Sequence, residues 1–333
     1  MPLTDLPSSQ LVDYRPEIAP PADFDAFWEK TLAQARAHDA EPELTVVRDT
    51  FLSTVDVFDV RFAGWNGEPV AAWLVLPAGA NEPLPVIVKF LGYSGGRGQP
   101  AEHLLPPSAG YAHLVVDSRG QGHATPDHGE GSGTQWVEGF MTRGIEDPHH
   151  HYYRRLMTDC VRAVDAAQRL PQIDPSRIIV TGGSQGGGLT LAVAGLAPDK
   201  IAAALPDVPF LCHYRRGADI SSEGPYFEIV KALRGRGRQL VERTFATLNY
   251  FDGVHFASRA CAPALFSVGL MDPICPPSTV YAAYHHYAGP REMTVWEFGD
   301  HGGGYSSAPV VQLSWLYEQG LAPGGHPEFG RRV

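Results

Sequence analysis

A serine in a glycine-rich turn is the part of this chain best suited to chemistry. Ser184 lies in the frame Gly182-Gly-Ser-Gln-Gly186, which follows the apolar run 177–180 and precedes the helix-forming run 189–196. A sharp turn between a strand and a helix lifts a serine hydroxyl clear of the backbone, and flanking glycines leave room for the chain to reverse. Glycine-rich turns also occur without catalysis, so the prediction that Ser184 is a nucleophile depends on finding its partners.

The partners that Ser184 needs are a base and a carboxylate, because an alcohol is a weak nucleophile at neutral pH. In a serine hydrolase with a parallel sheet, the chain order is serine, acid, histidine, each at a strand end. Asp272 follows the apolar run 264–269, and His301 follows the run 293–298. Taken alone, Asp272 is equally typical of a turn or helix cap, and His301 of an exposed loop. The order of the three favours a catalytic triad of Ser184, Asp272 and His301.

Two backbone donors are needed for the negative charge of a tetrahedral intermediate. One is commonly the N–H of the residue after the nucleophile, and the other comes from the loop after an earlier strand. Gln185 supplies the first, and the strand 86–90 leads into the glycine-rich loop Leu91-Gly-Tyr-Ser-Gly-Gly96. We therefore predict an oxyanion hole formed by the backbone N–H groups of Tyr93 and Gln185. The alternative for this loop is a tight turn without a catalytic role.

The remaining histidines and the cysteines indicate no metal site. The run His149-His-His151 has no cysteine or aspartate cluster at a ligand spacing, which favours a loop or subunit contact. His285 and His286 fall inside a predicted helix and are interpreted as structural. Four cysteines without a CxxC pair indicate reduced, mostly buried thiols and no disulfide: Cys160, Cys212, Cys261 and Cys275. We expect neither a metal nor a cofactor.

The elements that must position these residues alternate between short apolar strands and helices. Such strands are typical of a parallel sheet covered on both faces. Strands are predicted over 86–90, 112–117, 177–181, 202–205, 264–268 and 293–298, with helices over 153–169, 185–196, 278–287 and 310–319. Before them, an N-terminal helix over 21–38 precedes three antiparallel edge strands over 44–52, 55–62 and 70–76. The prediction is a doubly wound, mostly parallel α/β sheet.

The 333 residues are predicted to form a single domain over 1–333 with two additional segments. Residues 122–151 read as a long ordered loop, and 209–258 as a partly helical cap or interface insertion. The net charge of −11 argues against nucleic acid or an anionic membrane as partner, because both require clustered Lys and Arg. No apolar run approaches the ~20 residues of a membrane span. The N-terminus lacks the basic and apolar regions of a signal peptide, so a cytoplasmic location is expected.

Several motifs together resemble carbohydrate esterase family seven, the acetyl xylan esterases and cephalosporin C deacetylases of the α/β-hydrolase superfamily. They are Gly92-Tyr-Ser-Gly-Gly-Arg-Gly98, Asp117-Ser-Arg-Gly-Gln-Gly122, the Ser184 turn and Phe266-Ser-Val-Gly-Leu-Met-Asp-Pro-Ile-Cys-Pro-Pro277. The resemblance runs from about residue 21 to 316. It places the family's triad and oxyanion donors on the residues chosen above, and it implies a scaffold role for Arg119, Gly120 and Gln121. It also implies a homo-oligomer, a hexameric ring.

The resemblance implies a serine esterase that removes acetyl groups from acetylated xylo-oligosaccharides, cephalosporin C and other small esters. One departure is that the family usually has Glu after the catalytic histidine, whereas here Gly302 follows His301. The missing carboxylate leaves the anchoring of the histidine loop open. The alternatives are a serine peptidase of the oligopeptidase type, an inactive binding protein with the same fold, and a lipase for longer acyl chains.

Overall fold

A single mixed sheet organises the chain in the computed structural model, which describes residues 5–129, 135 and 137–324. Within these residues the sheet has nine strands in the order β1-β2-β3-β5-β4-β6-β7-β8-β9. The strands are β1 (Glu43–Val46), β2 (Val55–Ala63), β3 (Pro69–Pro77), β4 (Leu84–Phe90), β5 (Ala112–Val116), β6 (Ile173–Gly183), β7 (Ala203–Asp207), β8 (Ala264–Gly269) and β9 (Arg291–Trp296).

Helices connect the strands and cover both faces of the sheet. They are α1 (Ser8–Leu11), α2 (Phe24–Arg36), α3 (Leu105–Ser108), α4 (Tyr152–Ala167), α5 (Gln185–Leu196), α6 (Tyr214–Ile220), α7 (Gly224–Leu233), α8 (Arg238–Leu248), α9 (Gly253–Ala257), α10 (Pro277–His286) and α11 (Ala308–Glu318). Short 3₁₀ turns lie at Trp65–Gly67, Pro100–His103, Pro198–Lys200, Asn249–Phe251 and Tyr305–Ser307. In the described part of the chain, no helix combines the length and the apolarity that crossing a bilayer requires.

The direction of the strands confirms the predicted α/β fold. The pairs β1–β2, β2–β3 and β3–β5 are antiparallel, and the pairs from β5 through β4 to β9 are parallel. The strand predicted over 44–52 is wrong beyond Val46, because a turn follows and Phe51 has a left-handed φ of 57°. Apolar, β-branched residues extend past the point where the backbone leaves the sheet.

The apolar residues of the central strands form a core on each face. One face packs against α2, α4, α5, α9 and α10, and the other packs Ile87, Ile179 and Leu205 against Trp315 and Leu316 of α11. Fully burying a side chain of this size contributes about 1.5 to 3 kcal/mol. The two cores hold the strand ends in fixed positions, so the residues that follow the strands share one edge of the sheet.

The two additional segments both lie near this edge. The described part of 122–151 contains no regular strand or helix, and it ends at His151, which is buried and caps α4 by accepting a hydrogen bond from Tyr153 N. Residues 209–258 contain α6 to α9. Asp252 holds this insertion together, because its carboxylate accepts hydrogen bonds from the backbone N–H groups of His213, Tyr214 and Val254. The domain boundaries stay a prediction.

All four cysteines are free thiols. Cys160, Cys212 and Cys275 are buried, and burial raises the pKa of each thiol well above its ordinary value. Cys261 is exposed, so the apolar residues around it in the sequence do not cover it.

Candidate active site

The turn that carries Ser184 joins β6 directly to α5. Ser184 has φ 57° and ψ −119°, a conformation that a side-chain-bearing residue rarely adopts. A Cβ at Gly186 would lie 2.3 Å from Phe90 O, and one at Gly182 would lie 2.6 Å from the same oxygen. Both distances are far below a van der Waals contact, so the turn requires glycine on each side of Ser184, as expected from the sequence.

Hydrogen bonds on both sides of Ser184 hold this strained backbone in place. Ser184 N donates to Asp207 O at 3.0 Å, and Phe210 N donates to Ser184 O at 2.9 Å. Strain of this kind costs on the order of 1–3 kcal/mol and persists only where the surroundings determine the conformation. The end of β7 and the start of the insertion therefore fix the backbone that directs the Ser184 side chain.

The structure brings the three predicted triad side chains together. Ser184 Oγ lies 2.9 Å from His301 Nε2, and Asp272 Oδ2 lies 2.9 Å from His301 Nδ1. The Asp272 side chain is 0% exposed and that of His301 is 32% exposed. When Nδ1–H donates to the carboxylate, Nε2 is left as an acceptor for the serine hydroxyl. This arrangement suits a general base that takes the proton of Ser184.

The Asp272 carboxylate serves both as a turn residue and as a partner of His301, one oxygen for each. Oδ1 accepts hydrogen bonds from Ile274 N at 2.8 Å and Cys275 N at 2.9 Å, which is the turn interpretation. Oδ2 faces His301, which is the triad interpretation. The turn therefore holds the carboxylate in the orientation that the imidazole needs.

Tyr305 occupies the space beside Gly302 in the loop of His301. A Cβ at Gly302 would lie 2.4 Å from two ring carbons of Tyr305. The Tyr305 hydroxyl donates to Asp300 Oδ1 at 2.5 Å, and Gly302 N donates to the same oxygen at 2.8 Å. The loop is thus anchored by Asp300 and Tyr305, so the side chain missing at position 302 has a local replacement.

The backbone N–H groups of Tyr93 and Gln185 have no acceptor among the residues that the structure describes. The Gln185 side chain joins the two loops that carry them. Its amide donates to Leu91 O at 3.2 Å, and its oxygen accepts from Gln121 Nε2 at 2.8 Å and Tyr153 Oη at 3.0 Å. Free N–H groups on two connected loops are the feature that an oxyanion hole requires.

The Arg119-Gly-Gln121 segment links three parts of the fold below these loops. Arg119 is fully buried, and its guanidinium donates to Asp159 Oδ2 at 2.7 Å, to Asp159 Oδ1 at 3.0 Å and to Glu68. Gly120 has φ +66°, and Gln121 Oε1 accepts from Ser94 N at 2.7 Å. Burial raises the pKa of the Asp159 carboxyl, against the opposing effect of Arg119.

A second carboxylate near His301, which the sequence reasoning missed, belongs to Asp207 at the end of β7. Burial raises its pKa, and it accepts a hydrogen bond from Ser267 Oγ. A Cβ at Gly303, in the histidine loop, would lie 3.8 Å from Asp207 Oδ1. Asp207 follows the apolar run 202–205 in the same way as Asp272 follows its own strand. Its position at a strand end could therefore have identified Asp207 from the sequence.

Cys275 is also beside the triad. Potential ligand atoms of Asp272, Cys275 and His301 lie within 4.8 Å of one another among the described residues. The hydrogen bond between Asp272 and His301 uses the same side chains. The hydrogen bond between Asp272 and His301 therefore explains why these side chains lie close together.

Comparisons with known proteins give a consistent result. A family model described as acetyl xylan esterase (AXE1) matches residues 1–319. The chain is 42% identical to the acetyl xylan esterase from Paenibacillus sp. R4, covering 95% of this chain and 100% of that one with a TM-score of 0.89. It is 30% identical to acetyl xylan esterase 1 from Thermoanaerobacterium sp., covering 95% and 99% with a TM-score of 0.87. It is 26% identical to the acetyl esterase Axe7A of Xylanibacter ruminicola, over 92% of this chain and 69% of that protein.

Proposed function

Since this chain belongs to the acetyl xylan esterase (AXE1) family and is a carboxylic ester hydrolase that acts on acetyl esters, we propose that it uses an acetyl-enzyme on Ser184. The observation that carries this proposal is the hydrogen-bonded chain from Ser184 through His301 to Asp272, with 2.9 Å at each step. The Asp272 side chain is buried and the His301 side chain is partly exposed, so the base remains reachable from solvent.

The proposed first half-reaction forms the acetyl-enzyme. Ser184 Oγ attacks the ester carbonyl carbon while its proton moves to His301 Nε2, and Asp272 stabilises the resulting imidazolium. The carbonyl oxygen becomes an oxyanion that accepts hydrogen bonds from the N–H groups of Tyr93 and Gln185. The C–O bond to the alcohol then breaks, and His301 returns the proton to the leaving oxygen.

The second half-reaction releases acetate. Water attacks the acetyl carbon and gives a proton to His301, and the same two N–H groups stabilise the second oxyanion. The bond from the acetyl carbon to Ser184 Oγ breaks, and His301 protonates the serine oxygen. Acetate leaves, and the starting triad is restored.

We assign Arg119, Gly120 and Gln121 to a supporting role. The buried Arg119 lies under the site rather than in it, and its ion pair ties α4 to the β2–β3 connection. Gln121 contacts the backbone of the Tyr93 loop and the side chain of Gln185. These contacts support a scaffold that keeps the two donor loops at a fixed separation.

The substrate proposal is acetylated xylo-oligosaccharides, with cephalosporin C and other small acetyl esters as further substrates. It is supported by the names of the similar proteins, two acetyl xylan esterases and an acetyl esterase. A hexameric assembly and a cytoplasmic location stay predictions. Sedimentation of the purified protein measures the first, and fractionation of cells that express it measures the second.

The test is acetate release from acetylated xylo-oligosaccharides and cephalosporin C by the wild type and by Ser184→Ala. Loss of the nucleophile is expected to lower kcat by a factor on the order of 10⁶. Ser222→Ala, an exposed serine in the insertion, is the matched control and should leave kcat unchanged. Unchanged acetate release by folded Ser184→Ala would contradict the proposed mechanism.

Two further substrates address the alternatives. An acyl-peptide anilide tests for peptidase activity, and a series of p-nitrophenyl esters from acetyl to octanoyl tests the acyl pocket. Amide cleavage with little ester cleavage would favour the peptidase alternative, and a maximum at octanoyl would favour a lipase.

A further inference from the structure

The side chain of Tyr93 is held by the insertion and by the segment 122–151. The Tyr93 hydroxyl donates to Glu228 of α7, at 2.9 Å from Oε1 and 2.8 Å from Oε2. The same hydroxyl accepts a hydrogen bond from Phe140 N at 2.5 Å. One phenol therefore joins the loop after β4, the segment 122–151 and the insertion.

Several contacts hold the Tyr93 loop, including a hydrogen bond from Gly95 N to Gly92 O at 3.0 Å, and one contact comes from the insertion. It runs through glycines at positions 92, 95 and 96, and Ser94 has a left-handed φ of 59°. On one side, Ser94 N donates to Gln121 Oε1 at 2.7 Å. On the other side, the Tyr93 hydroxyl reaches Glu228. The insertion thus contributes to the position of the Tyr93 N–H, together with the contact from Gln121 and the hydrogen bond from the Gln185 amide to Leu91 O.

The surroundings of Glu228 are arranged for a carboxylate that only accepts hydrogen bonds. Met141 N donates to Oε2 at 3.3 Å in addition to the bonds from Tyr93. A Cβ at Gly139 would lie 2.1 Å from Oε2, so the carboxylate occupies space that a glycine leaves open. Burial raises the pKa of the Glu228 carboxyl, while the bonds from Tyr93 and Met141 favour its charged form.

We infer that Glu228 is a positioning residue for the reaction, which holds the Tyr93 N–H in the direction that the oxyanion requires. This inference rests on the proposed function, because it takes the Tyr93 N–H as an oxyanion donor. Glu228 acts through Tyr93, and no part of the argument requires it to touch the substrate. The insertion is thereby part of the machinery that stabilises the transition state.

The inference predicts which kinetic constant changes. An oxyanion donor contributes mainly after the carbonyl oxygen has become charged, so a misdirected donor lowers kcat with little effect on KM. Removing a donor entirely costs about 10²- to 10³-fold, and misdirecting one should cost less, about tenfold. A residue that only supports the fold would instead change the unfolding midpoint and leave kcat of the folded enzyme unchanged.

The experiment compares Glu228→Gln, Tyr93→Phe and the double variant in the full chain, with p-nitrophenyl acetate as substrate. Gly139→Ala crowds the Glu228 carboxylate, and because Gly139 has φ +104° it also strains the backbone next to Phe140, so its result is interpreted together with the two side-chain variants. Glu242→Gln is the matched control, because Glu242 is an exposed glutamate of α8 in the same insertion. Phenyl trifluoromethyl ketone is the probe, since addition of a serine hydroxyl converts it to a charged oxyanion. Urea unfolding reports on the fold of each variant.

We expect kcat to be about tenfold lower for each of the three single variants Glu228→Gln, Tyr93→Phe and Gly139→Ala. The affinity for the ketone should fall by a similar factor, and KM should stay within about twofold of the wild-type value. The double variant should be no worse than either single variant, because both remove one contact. Glu242→Gln should match the wild type. Unchanged kcat in folded Glu228→Gln, or losses that multiply in the double variant, would overturn the inference.

Ser184→Ala separates this inference from the proposed function. If it retains wild-type acetate release, the proposed function fails, and the inference fails with it. If Ser184→Ala is inactive and folded Glu228→Gln is fully active, only the positioning role of Glu228 is refuted.

Discussion

Replacing Arg119 by methionine is expected to destabilise the protein strongly by leaving a buried carboxylate without its partner. The side chains of Arg119 and Asp159 are both 0% exposed. Methionine keeps much of the volume but none of the donors, so among the described residues Asp159 retains only the hydrogen bond from Trp65 N at 2.7 Å. Breaking a buried ion pair in this way costs about 3–5 kcal/mol. That is a large part of the 5–15 kcal/mol that typically separates folded from unfolded protein.

On the side of Gly64, the geometry around Asp159 leaves no room for a rescuing water. A Cβ at Gly64 would lie 2.3 Å from Asp159 Oδ1, so this side of the carboxylate is already filled. Neutralising the carboxylate should therefore relieve the defect. Arg119→Met combined with Asp159→Asn is expected to be about 2 kcal/mol more stable than Arg119→Met alone, because an amide costs less to bury than an unpaired charge.

The pH dependence gives a second measure of the same contact. Burial already raises the pKa of Asp159, and loss of Arg119 removes the charge that opposes this rise. The folded variant then binds a proton at pH values where the unfolded chain, with a pKa near its ordinary value, does not. The stability contributed by protonated Asp159 is fully present below the unfolded pKa and is lost as the pH rises through the folded pKa. Arg119→Met should thus be least stable at pH values above the pKa that Asp159 has in the folded variant.

The assay is urea unfolding at several pH values, followed by fluorescence, with the midpoint compared at constant m. Arg238→Met is the control, since Arg238 pairs with Glu242 on an exposed face of α8 and its loss should change stability by less than about 0.5 kcal/mol. A midpoint for Arg119→Met equal to that of the wild type, or no gain from Asp159→Asn, would refute the scaffold role of this pair.

Three further predictions concern other parts of the molecule. Tyr305→Phe removes the hydroxyl that Asp300 accepts and should lower kcat several-fold at unchanged KM, measured with p-nitrophenyl acetate; an unchanged kcat would show that His301 needs no such anchor. Iodoacetamide should label Cys261 alone in the native protein, as read by peptide mass spectrometry, because Cys275 and the other thiols are buried with raised pKa values. Burial lowers the pKa of His113 to about 3, so its contribution to stability is present above about pH 6.5 and is lost toward pH 3 at up to about 1.4 kcal/mol per pH unit; His113→Leu should flatten the urea midpoint over this range, and an equally steep profile would contradict it.

The sheet and the triad candidates were predictable because their signals are local. Ser184, Asp272 and His301 each follow a run of apolar residues, and such a run predicts a strand that ends just before the polar residue. The parallel sheet then brings the ends of its strands together. The structure places these side chains within hydrogen-bonding distance, and their catalytic roles await the Ser184→Ala test. The glycines around Ser184 are also a local signal, because the sharp turn between strand and helix leaves no room for a Cβ at Gly182 or Gly186.

The contacts that were missed depend on residues far apart in the chain or on a single unusual backbone angle. Tyr93 and Glu228 are 135 positions apart, and neither lies in a motif that points to the other. Asp207 had a strand-end signal, but Asp272 had already filled the role of the acid. Tyr305 lies against Gly302 with a left-handed φ of 47°, a backbone angle that apolar patterning does not reveal. Side-chain packing of this kind appears only when the fold is assembled.

The hydrogen bonds on either side of Ser184 connect the nucleophile to the start of the insertion. Asp207 O, at the end of β7, and Phe210 N, at the start of the insertion, both bond to the Ser184 backbone, so a displacement of this part of the insertion would also displace the nucleophile. The start of the insertion and Ser184 are therefore expected to move as one unit.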